Sequence, residues 1–295
     1  MRFSVIVPTY NRLESLKKTI ESILKQEYPD FETIIVNDGS IDGTDAYLSQ
    51  LAAEKKIKYI KQSNGGPANA RNAGIKNASG DTAAFTDDDC VLAPDWLRKL
   101  SAGFERTGAR VVGGIVTNRA THDFYADLSQ EMTTHFVRTL AQLHRPTAFL
   151  TSNNIAYDMQ TLRRAGGFDE RFRHTGGEER ALNSRIIDEG GISLLLDDLN
   201  VDHYHQFTAG SFFRQQRNYG RGSYLLYRVA GKELGRPPEK IPIQVHFSMV
   251  TSFFRSGAIP GIRKTLFYVA AQFMVILGFM LQAAAPRRAR RGPGS

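Results

Sequence analysis

The segment TAAFTDDD, residues 82–89, decides the fold, because a short apolar strand ends there in three carboxylates. Two other strand-like segments are also followed by polar residues: residues 3–7 precede PTYN at 8–11, and residues 33–36 precede NDGS at 37–40. In a mainly parallel sheet, ligands bind beyond the carboxyl ends of the strands. The sequence therefore predicts a sheet with one polar, ligand-binding rim.

Stretches with apolar residues at helical spacing separate these strands, which is the alternation typical of a sheet covered by helices on both faces. We predict strands at 3–7, 33–36, 57–60, 82–86, 110–116 and 193–196. We predict helices at 15–26, 46–54, 68–77, from Pro94 onward, 127–143, 159–165 and 178–189. The predicted class is α/β, with a mainly parallel mixed sheet flanked by helices and a helical C-terminal extension.

The composition of the 295 residues excludes several classes of protein. With 41% hydrophobic and 23% charged residues the chain is an ordinary globular protein. The single cysteine, Cys90, excludes intrachain disulfides and a cysteine-based zinc site. The net charge of +8 comes with no zinc-finger spacing or basic heptad, so nucleic acid is not an expected partner. The apolar run before Pro8 is too short for a secretory signal peptide, and none is expected.

Three adjacent carboxylates, Asp87, Asp88 and Asp89, repel one another unless something compensates their charge. A divalent cation does so, since Mg²⁺ is commonly held by one or two carboxylates together with substrate phosphate oxygens. The alternative is a solvated acidic turn that caps the helix beginning near Pro94. The triplet by itself supports both interpretations.

Two glycine turns also follow predicted strands. Asp38, on the first turn, can accept a hydrogen bond from a nucleobase, and the alternative is ordinary turn chemistry. The second turn, GGP at 65–67, starts a helix with proline in its first turn. Arg71 lies one turn into that helix, from which it can reach a base or a phosphate.

A third group of candidates lies further along the chain. Glu178 and Glu179 open a helix after a glycine-rich loop. Carboxylates in a first helical turn complement the helix dipole, which is the structural interpretation. In the functional interpretation one glutamate is a general base, and the negative charge of the other raises its pKa. His203 and His205 are two of only seven histidines, and their proximity favours a metal ligand.

Taken in order, these motifs resemble glycosyltransferase family 2, whose members have the GT-A fold. The segments that carry the resemblance are VIVPTYNR at 5–12, VNDGS at 36–40 with DGT at 42–44, GGP at 65–67 through Arg71, Asn72 and Gly74, DDD at 87–89, and GGFDE at 166–170 leading to GEE at 177–179. The resemblance spans about residues 3 to 230. Each motif is weak alone, but five in this order are specific.

The resemblance implies inverting transfer of a sugar from a nucleotide-diphosphate donor, UDP-sugar being favoured, to an acceptor hydroxyl, with Mg²⁺ or Mn²⁺ as cofactor. It implies a GT-A domain at 1–235, with a nucleotide-binding half at about 1–116 and an acceptor-side half at about 117–235, followed by the extension at 236–295. The expected acceptor is a lipid-linked or cell-surface saccharide.

The same resemblance assigns roles to individual residues. The nucleotide is expected to contact Pro8, Thr9, Tyr10, Arg12, Asp38, Gly66, Arg71, Asp87 and Asp88. The expected metal ligands are Asp87, Asp89, His203 and His205, with Asp89 as the direct ligand and one of the histidines as a late one. Glu179 is the expected base, although the family commonly carries aspartate there, and Glu178 is the alternative. The sugar is expected to contact Trp96, Asn153, Asn154 and Gly177.

The C-terminal part contains an uncharged stretch of twenty residues, 266–285, which is long enough to cross a bilayer. A single crossing from a cytosolic domain would place the basic run Arg287, Arg288, Arg290 and Arg291 outside, against the positive-inside tendency. We therefore predict an interfacial or re-entrant helix, held by Arg263, Lys264 and that run at the inner face of the cell membrane. A soluble helix packed on the domain or on a dimer partner is the alternative.

Two rival functions are compatible with parts of the pattern. A nucleotidyltransferase that makes nucleotide sugars usually opens with a glycine-rich loop carrying Lys or Arg, which PTYNR at 8–12 lacks. A catalytically silent, membrane-bound adaptor would have no need for the acidic triplet and the glutamate pair. The sequence does not determine the oligomeric state.

Overall fold

Alternating strands and helices make up the chain, as this computed structural model shows for residues 1–120, 123–143, 147, 149–172, 176–233, 235 and 241–285. The strands are β1 (Phe3–Thr9), β2 (Phe31–Asn37), β3 (Lys58–Lys61), β4 (Thr82–Phe85), β5 (Cys90–Leu92), β6 (Val111–Asn118), β7 (Ile155–Asp158) and β8 (Ser193–His203). The helices are α1 (Leu13–Leu24), α2 (Thr44–Ala53), α3 (Pro67–Asn77), α4 (Trp96–Thr107), α5 (Phe124–Leu143), α6 (Met159–Arg164), α7 (Glu178–Asp188), α8 (Ala209–Glu233), α9 (Ile243–Phe253) and α10 (Ala258–Ala284).

All eight strands join one sheet in the order β3-β2-β1-β4-β7-β6-β8-β5. Parallel pairing joins β1 to β2, β1 to β4, β2 to β3 and β6 to β8, whereas β7 pairs antiparallel with β4 and β6, and β5 with β8. The predicted α/β class with a mixed, mainly parallel sheet is confirmed. The carboxyl ends of β1, β2 and β4 lie side by side, so the three polar clusters meet at one rim.

Two strands were not predicted, and one is longer than predicted. β5 has three residues and β7 has four, which is too short for a period of two to be recognised. β8 continues past the predicted end at Leu196 as far as His203, so this histidine lies on the strand that pairs with β5. The other predicted helices and strands differ from the observed ones mainly at their ends.

Side chains of alternating direction along β1 build a core on each face of the sheet. Phe3, Val5 and Val7 pack with Leu16 of α1 and with the apolar faces of α2 and α4. Ile6 points the other way, into a cluster formed with α3, α6 and α7. The two clusters hold the strand ends rigidly, which a binding site at the rim requires.

A register shift interrupts the pairing of β6 with β8 between Gly114 and Ile115. The buried side chain of Asn154 compensates for it, since its amide nitrogen donates to the carbonyl oxygens of Ile115 at 2.8 Å and Leu199 at 3.0 Å. Its amide oxygen accepts from the indole Nε1 of Trp96 at 2.9 Å. Both side chains are fully buried, and their polar atoms satisfy each other and the backbone.

The C-terminal helices pack on the rest of the protein. A third apolar cluster joins Leu128 and Met132 of α5 to Phe212 of α8 and to Tyr268 and Ala271 of α10. α10 begins at Ala258, before the uncharged stretch, and lies along α8. The predicted basic run Arg287 to Arg291 lies outside the described residues.

Two glycines allow α8 and α10 to approach closely. A Cβ atom at Gly278 would lie 1.9 Å from the carbonyl oxygen of Arg217, and one at Gly220 would lie 1.9 Å from that of Val275. Both obstacles are backbone atoms, which cannot rotate away as a side chain can.

We therefore expect Gly278→Ala to lower the free energy of unfolding by about 1–3 kcal/mol, the usual effect of overpacking. Denaturant unfolding followed by circular dichroism measures this change. Gly231→Ala is the matched control, because it also lies in α8 but has open space around its Cα. Replacing a helical glycine by alanine there should stabilise the protein by roughly 0.5–1 kcal/mol. Equal stability of the two variants would contradict the close approach.

Candidate active site

A cavity of about 640 Å³ lies at the rim where β1, β2 and β4 end. Its volume is typical of small-molecule sites, which measure about 300–1,000 Å³. Most of the predicted site residues line it: Pro8, Thr9, Tyr10, Arg12, Asp38, Gly66, Arg71, Asp87, Asp88, Asp89, Asn153, Glu178, Glu179, His203 and His205. Residues from 8 to 205 thus contribute to one site.

Two of the four predicted sugar contacts are wrong. Trp96 and Asn154 have no exposed surface and hold the β6–β8 irregularity, so neither can touch a sugar. Gly177 is not among the residues that line the cavity, although its neighbour Gly176 is, and a contact of Gly177 with the sugar stays a prediction. Gly177 has φ of 106°, which allows the turn that starts α7. Asn153 does line the cavity, and its buried Oδ1 atom has no hydrogen-bond partner among the described residues.

The three aspartates of the triplet have different partners. Asp88 accepts from the hydroxyl of Thr9 at 2.7 Å and from Arg12 at 3.2 Å. Asp89 accepts from Arg12 at 2.6 Å, whereas Asp87 points away towards α3. Because Asp88 and Asp89 are only 5% and 6% exposed, the alternative of a solvated acidic turn is wrong for these two.

Burial and neighbouring charges push the two buried aspartates in opposite directions. Burial raises the pKa of Asp88 to about 7, with Asp89 adding to the rise and Arg12 opposing it. Burial also acts to raise the pKa of Asp89, but hydrogen bonds from His203 and His205 and the charges of His203 and Arg12 outweigh it, so this pKa lies well below its usual range. Asp89 is therefore the carboxylate that stays ionised near neutral pH.

The surroundings of Asp89 suit a divalent cation. His203 Nε2 lies 3.1 Å from its Oδ1, and His205 Nδ1 lies 3.1 Å from its Oδ2. One ligand atom each of Asp89, Cys90 and His203 can lie within 4.8 Å of one another. Burial raises the pKa of the Cys90 thiol well above its usual range, so it stays protonated and is a poor ligand for Mg²⁺ or Mn²⁺. A carboxylate with an imidazole is the donor set that remains.

Arg12 competes with any cation for the same carboxylate oxygens. Its guanidinium lies 2.6 Å from Oδ2 of Asp89, but its side chain is 44% exposed. The long side chain can therefore swing towards solvent, or towards an anionic ligand, without disturbing the core. A contact of Arg12 with the nucleotide stays a prediction.

Asp38 holds the second glycine turn in place. Its carboxylate accepts from the backbone N–H groups of Gly65 and Gly66, both at 2.9 Å, and from the amide of Gln62 at 2.7 Å. The turn-chemistry interpretation of Asp38 is thus correct. A direct contact between Asp38 and a nucleobase stays a prediction, for which Oδ2, with one protein donor, has remaining capacity.

The buried guanidinium of Arg71 joins α3, the acidic triplet and α7. It donates to Oδ1 of Asp87 at 2.9 Å and to Oε1 of Glu178 at 3.2 Å. Oε2 of Glu178 accepts from the N–H of Gly176 at 2.8 Å. Both oxygens of Glu178 are therefore occupied by partners within the protein.

Glu179 differs from its neighbour, because its buried Oε2 atom has no hydrogen-bond partner in the described chain. Burial, with the adjacent charge of Glu178 adding to it, raises the pKa of Glu179 to about 8. A half-buried carboxyl group with a free oxygen and a pKa near neutral has the properties of a general base. The geometry favours Glu179 over Glu178 for that role.

Several cavity residues were not predicted: Asn64, Ser129, Gln130, Thr133, Thr151, Ser152, Phe207, Gln215 and Tyr219. The polar face of α5 was a usable signal, because Ser129 and Thr133 are four residues apart and lie on one side of the helix. Gln215 and Tyr219 of α8 have the same spacing. Their segment was recognised as aromatic and basic, but nothing local indicated which face meets the cavity.

The fold and the acidic, histidine-containing cavity define a GT-A-type domain. A sequence model of glycosyl transferase family 2 matches residues 4–166. Because this match covers more than half of the 295 residues, the chain belongs to glycosyl transferase family 2. The predicted family is confirmed, and the nucleotidyltransferase and adaptor alternatives gain no support.

Similar proteins agree with this assignment. An uncharacterized glycosyltransferase of Rickettsia bellii is 43% identical over 88 residues, which cover 30% of this chain and 13% of the relative. The mannosyltransferase PcManGT from Pyrobaculum calidifontis, in complex with GDP-Man and Mn²⁺, has a TM-score of 0.64 at 18% identity. The match covers 96% of this chain and 87% of the mannosyltransferase chain. TarS 1–349 of S. aureus, in complex with UDP-GlcNAc, has a TM-score of 0.56 at 17% identity. The match covers 96% of this chain and 91% of the TarS chain. At such identities the two structures show a shared fold.

Proposed function

We propose that the protein is an inverting glycosyltransferase that moves a sugar from a nucleotide-diphosphate sugar to an acceptor hydroxyl. The observation that carries the proposal is that one cavity combines the ionised Asp89, bonded to two histidines, with Glu179, whose free oxygen is buried. The first group suits a cation and a diphosphate, and the second suits a hydroxyl proton. Structural neighbours complexed with GDP-Man and UDP-GlcNAc support a nucleotide sugar as donor, and we favour a UDP-sugar.

On the donor side, Asp89 and His203 are the proposed ligands of Mg²⁺ or Mn²⁺, with Asp87 and His205 close by. When bound, the ion neutralises charge that develops on the leaving diphosphate. When the guanidinium of Arg12 moves away from Asp89, it can pair with the diphosphate. Thr9 keeps Asp88 in position through their 2.7 Å hydrogen bond.

Asp89→Asn removes the ionised ligand, and we expect UDP binding in the presence of Mn²⁺ to weaken about tenfold or more, the usual effect of losing a charged interaction. Titration calorimetry with and without the metal measures it. Asp30→Asn, on the surface beside Arg2, is the control and should bind as the wild type does. Parallel titrations with GDP and dTDP identify the preferred nucleobase of the donor. If the wild-type protein bound no nucleoside diphosphate with either metal, the proposal would be wrong.

On the acceptor side, Glu179 is the proposed general base. It takes the proton of the acceptor hydroxyl, whose oxygen forms a bond to the anomeric carbon while the bond from that carbon to the diphosphate oxygen breaks. Attack opposite the leaving group inverts the configuration. Glu178 is a positioning residue in this scheme, because its oxygens bond Arg71 and Gly176 while its charge acts on Glu179.

The raised pKa of Glu179 predicts a pH profile. A base must be deprotonated, so kcat/KM should fall as the pH drops below about 8 and Glu179 becomes protonated. Glu179→Gln should lose about 10²–10⁴ of the turnover. Glu178→Gln should keep measurable activity and move the rising limb to lower pH, because it removes the neighbouring negative charge. Donor turnover measured between pH 5 and pH 9 separates the variants, and full activity of Glu179→Gln would eliminate it as the base.

The exposed apolar side chains of α10 indicate a contact with a membrane. In the described ranges it is the one helix whose length and apolar composition would allow a membrane crossing, and only 17% of its most apolar window is buried. Its exposed apolar residues recur every three or four positions: Ile259, Ile262, Leu266, Val269, Phe273, Ile276 and Met280. This spacing gives one continuous apolar face.

We propose that this face lies in the membrane interface and does not span the bilayer. The opposite face of α10 packs on α5 and α8, and the backbone of Arg217 contacts Gly278. A spanning α10 would carry the arginines of α8 into hydrocarbon, which is costly. Arg263 and Lys264 were predicted to hold this helix at the membrane. In the structure Lys264 bonds Glu131 at 2.6 Å, and Arg263 stacks on Phe124. The proposed location is the cytoplasmic side of the cell membrane, in polysaccharide or glycolipid synthesis.

Phe273→Glu, which places a charge in the centre of the apolar face, should therefore reduce binding to lipid vesicles several-fold. Co-sedimentation with vesicles of phosphatidylglycerol and phosphatidylcholine measures the bound fraction. Ile41→Glu is the control, because Ile41 is 90% exposed on another surface and should not affect binding. Undiminished binding of Phe273→Glu would exclude the α10 face as the contact.

A further inference from the structure

A second groove, of about 710 Å³, runs along the other side of α5 from the active-site cavity. Val116 and Gln130 line both the cavity and the groove, so the two are continuous. From Gln130 the groove follows α5 as far as Gln142, about 18 Å at 1.5 Å per residue. It is closed on its far side by the end of α9, the turn Phe254–Ser256 and the start of α10.

The groove is lined by the carboxylates of Asp127 and Glu131 and by the cations Arg138, Arg255 and Lys264, so one positive charge of its lining is not compensated by another lining residue. Lys264 is neutralised by Glu131 at 2.6 Å. Arg138 lies 3.5 Å from Asp197 in an exposed pair, which contributes little binding energy. Arg255 is exposed, and no described residue forms an ion pair with it. Two guanidinium groups are therefore available to a ligand in the groove.

The position of these arginines along the groove restricts what they can bind. Arg138 is eight residues beyond Gln130 on α5, about 12 Å from the cavity end. Arg255 lies between Phe254 and Ser256, next to the apolar surface that the α10 face continues. Phe254 is 43% exposed and Ile259 is 82% exposed there. The groove that contains both arginines is thus continuous with the polar cavity, and Arg255 is adjacent in the chain to exposed apolar side chains.

Hydroxyl and amide side chains complete the lining of the groove. Thr134, Thr139 and Ser252 line the groove, and Gln130 lies at its junction with the cavity. Such groups hydrogen-bond sugar hydroxyls, whereas a guanidinium matches the geometry of phosphate with two parallel hydrogen bonds. The groove and its surroundings therefore offer hydrogen-bonding groups for a sugar, guanidinium groups for a phosphate and an apolar surface for a hydrocarbon chain.

We propose that this groove is the acceptor site, and that the acceptor is a saccharide linked through phosphate to a lipid. The phosphate binds Arg255 and Arg138, and the hydrocarbon lies on Phe254 and the apolar face of α10. The saccharide extends past Gln130 to Glu179. This inference rests on the proposed transferase function, because it assigns the second substrate of that same site.

Binding of a simple lipid phosphate tests the groove without knowledge of the natural saccharide. We expect farnesyl phosphate to bind the full-length protein about tenfold or more tightly than farnesol, which has the same chain without the phosphate. Arg255→Gln and Arg138→Gln should each remove most of this difference and leave farnesol binding unchanged. Arg255→Lys should retain part of it, because the charge remains but the paired hydrogen bonds do not. Calorimetry or ³¹P line broadening measures the affinities.

Arg106→Gln is the matched control, because Arg106 is an exposed arginine in the last turn of α4, remote from the groove. The proposal is overturned if farnesol binds as tightly as its phosphate, or if the groove variants bind like Arg106→Gln. It is also overturned if inorganic phosphate alone competes at the same concentration, since the arginines would then hold an adventitious ion only.

The same variants separate this inference from the proposed function. UDP binding with Mn²⁺ should be unchanged in Arg255→Gln and Arg138→Gln, because neither lines the active-site cavity. If the wild-type protein bound farnesyl phosphate but not UDP, the donor assignment would be rejected and the assignment of the groove would stand. Binding of UDP with no phosphate preference in the groove would reject the acceptor assignment alone.

Discussion

The buried guanidinium of Arg71 is the constraint on which the site depends. Burying a charge is costly unless it is paired and hydrogen-bonded, and Arg71 meets both conditions only because Asp87 and Glu178 approach it from different elements. One side chain of α3 thereby fixes the loop after β4 relative to the start of α7. The proposed donor and acceptor sides of the cavity are held at one separation by this contact.

The same contact differentiates two neighbouring glutamates. Glu178 is committed to Arg71 and to a backbone N–H group, whereas the buried oxygen of Glu179 faces the cavity without a partner. Two adjacent aspartates are differentiated in a similar way, because histidines surround Asp89 and not Asp88. The surroundings thus give identical, adjacent functional groups different hydrogen-bond partners, and they move the pKa values of Asp88 and Asp89 in opposite directions. In a transferase, one end of the cavity needs a permanent anion and the other needs a proton acceptor.

The C-terminal helices extend this arrangement outward. α10 uses its small residues to approach α8 and its opposite face to present apolar side chains to the exterior. The contact of α9 and α10 with α5 also forms the wall of the second groove. An extension that resembles an independent appendage in sequence is therefore part of the same packed structure. The proposed membrane contact and the proposed acceptor groove therefore belong to one surface.

The sequence by itself determined the α/β class and the polar rim, because strand periodicity and residues at strand ends are local signals, and parallel pairing brings those ends together. It also identified Asp89, Arg71 and the glutamate pair. It could not assign Trp96 and Asn154, which only mutual burial shows to be structural. Nor could it show that Arg71 pairs with Glu178, 107 residues away, or which face of α8 lines the cavity. Those features depend on long-range packing, and no local pattern records which distant side chain will neutralise a buried charge.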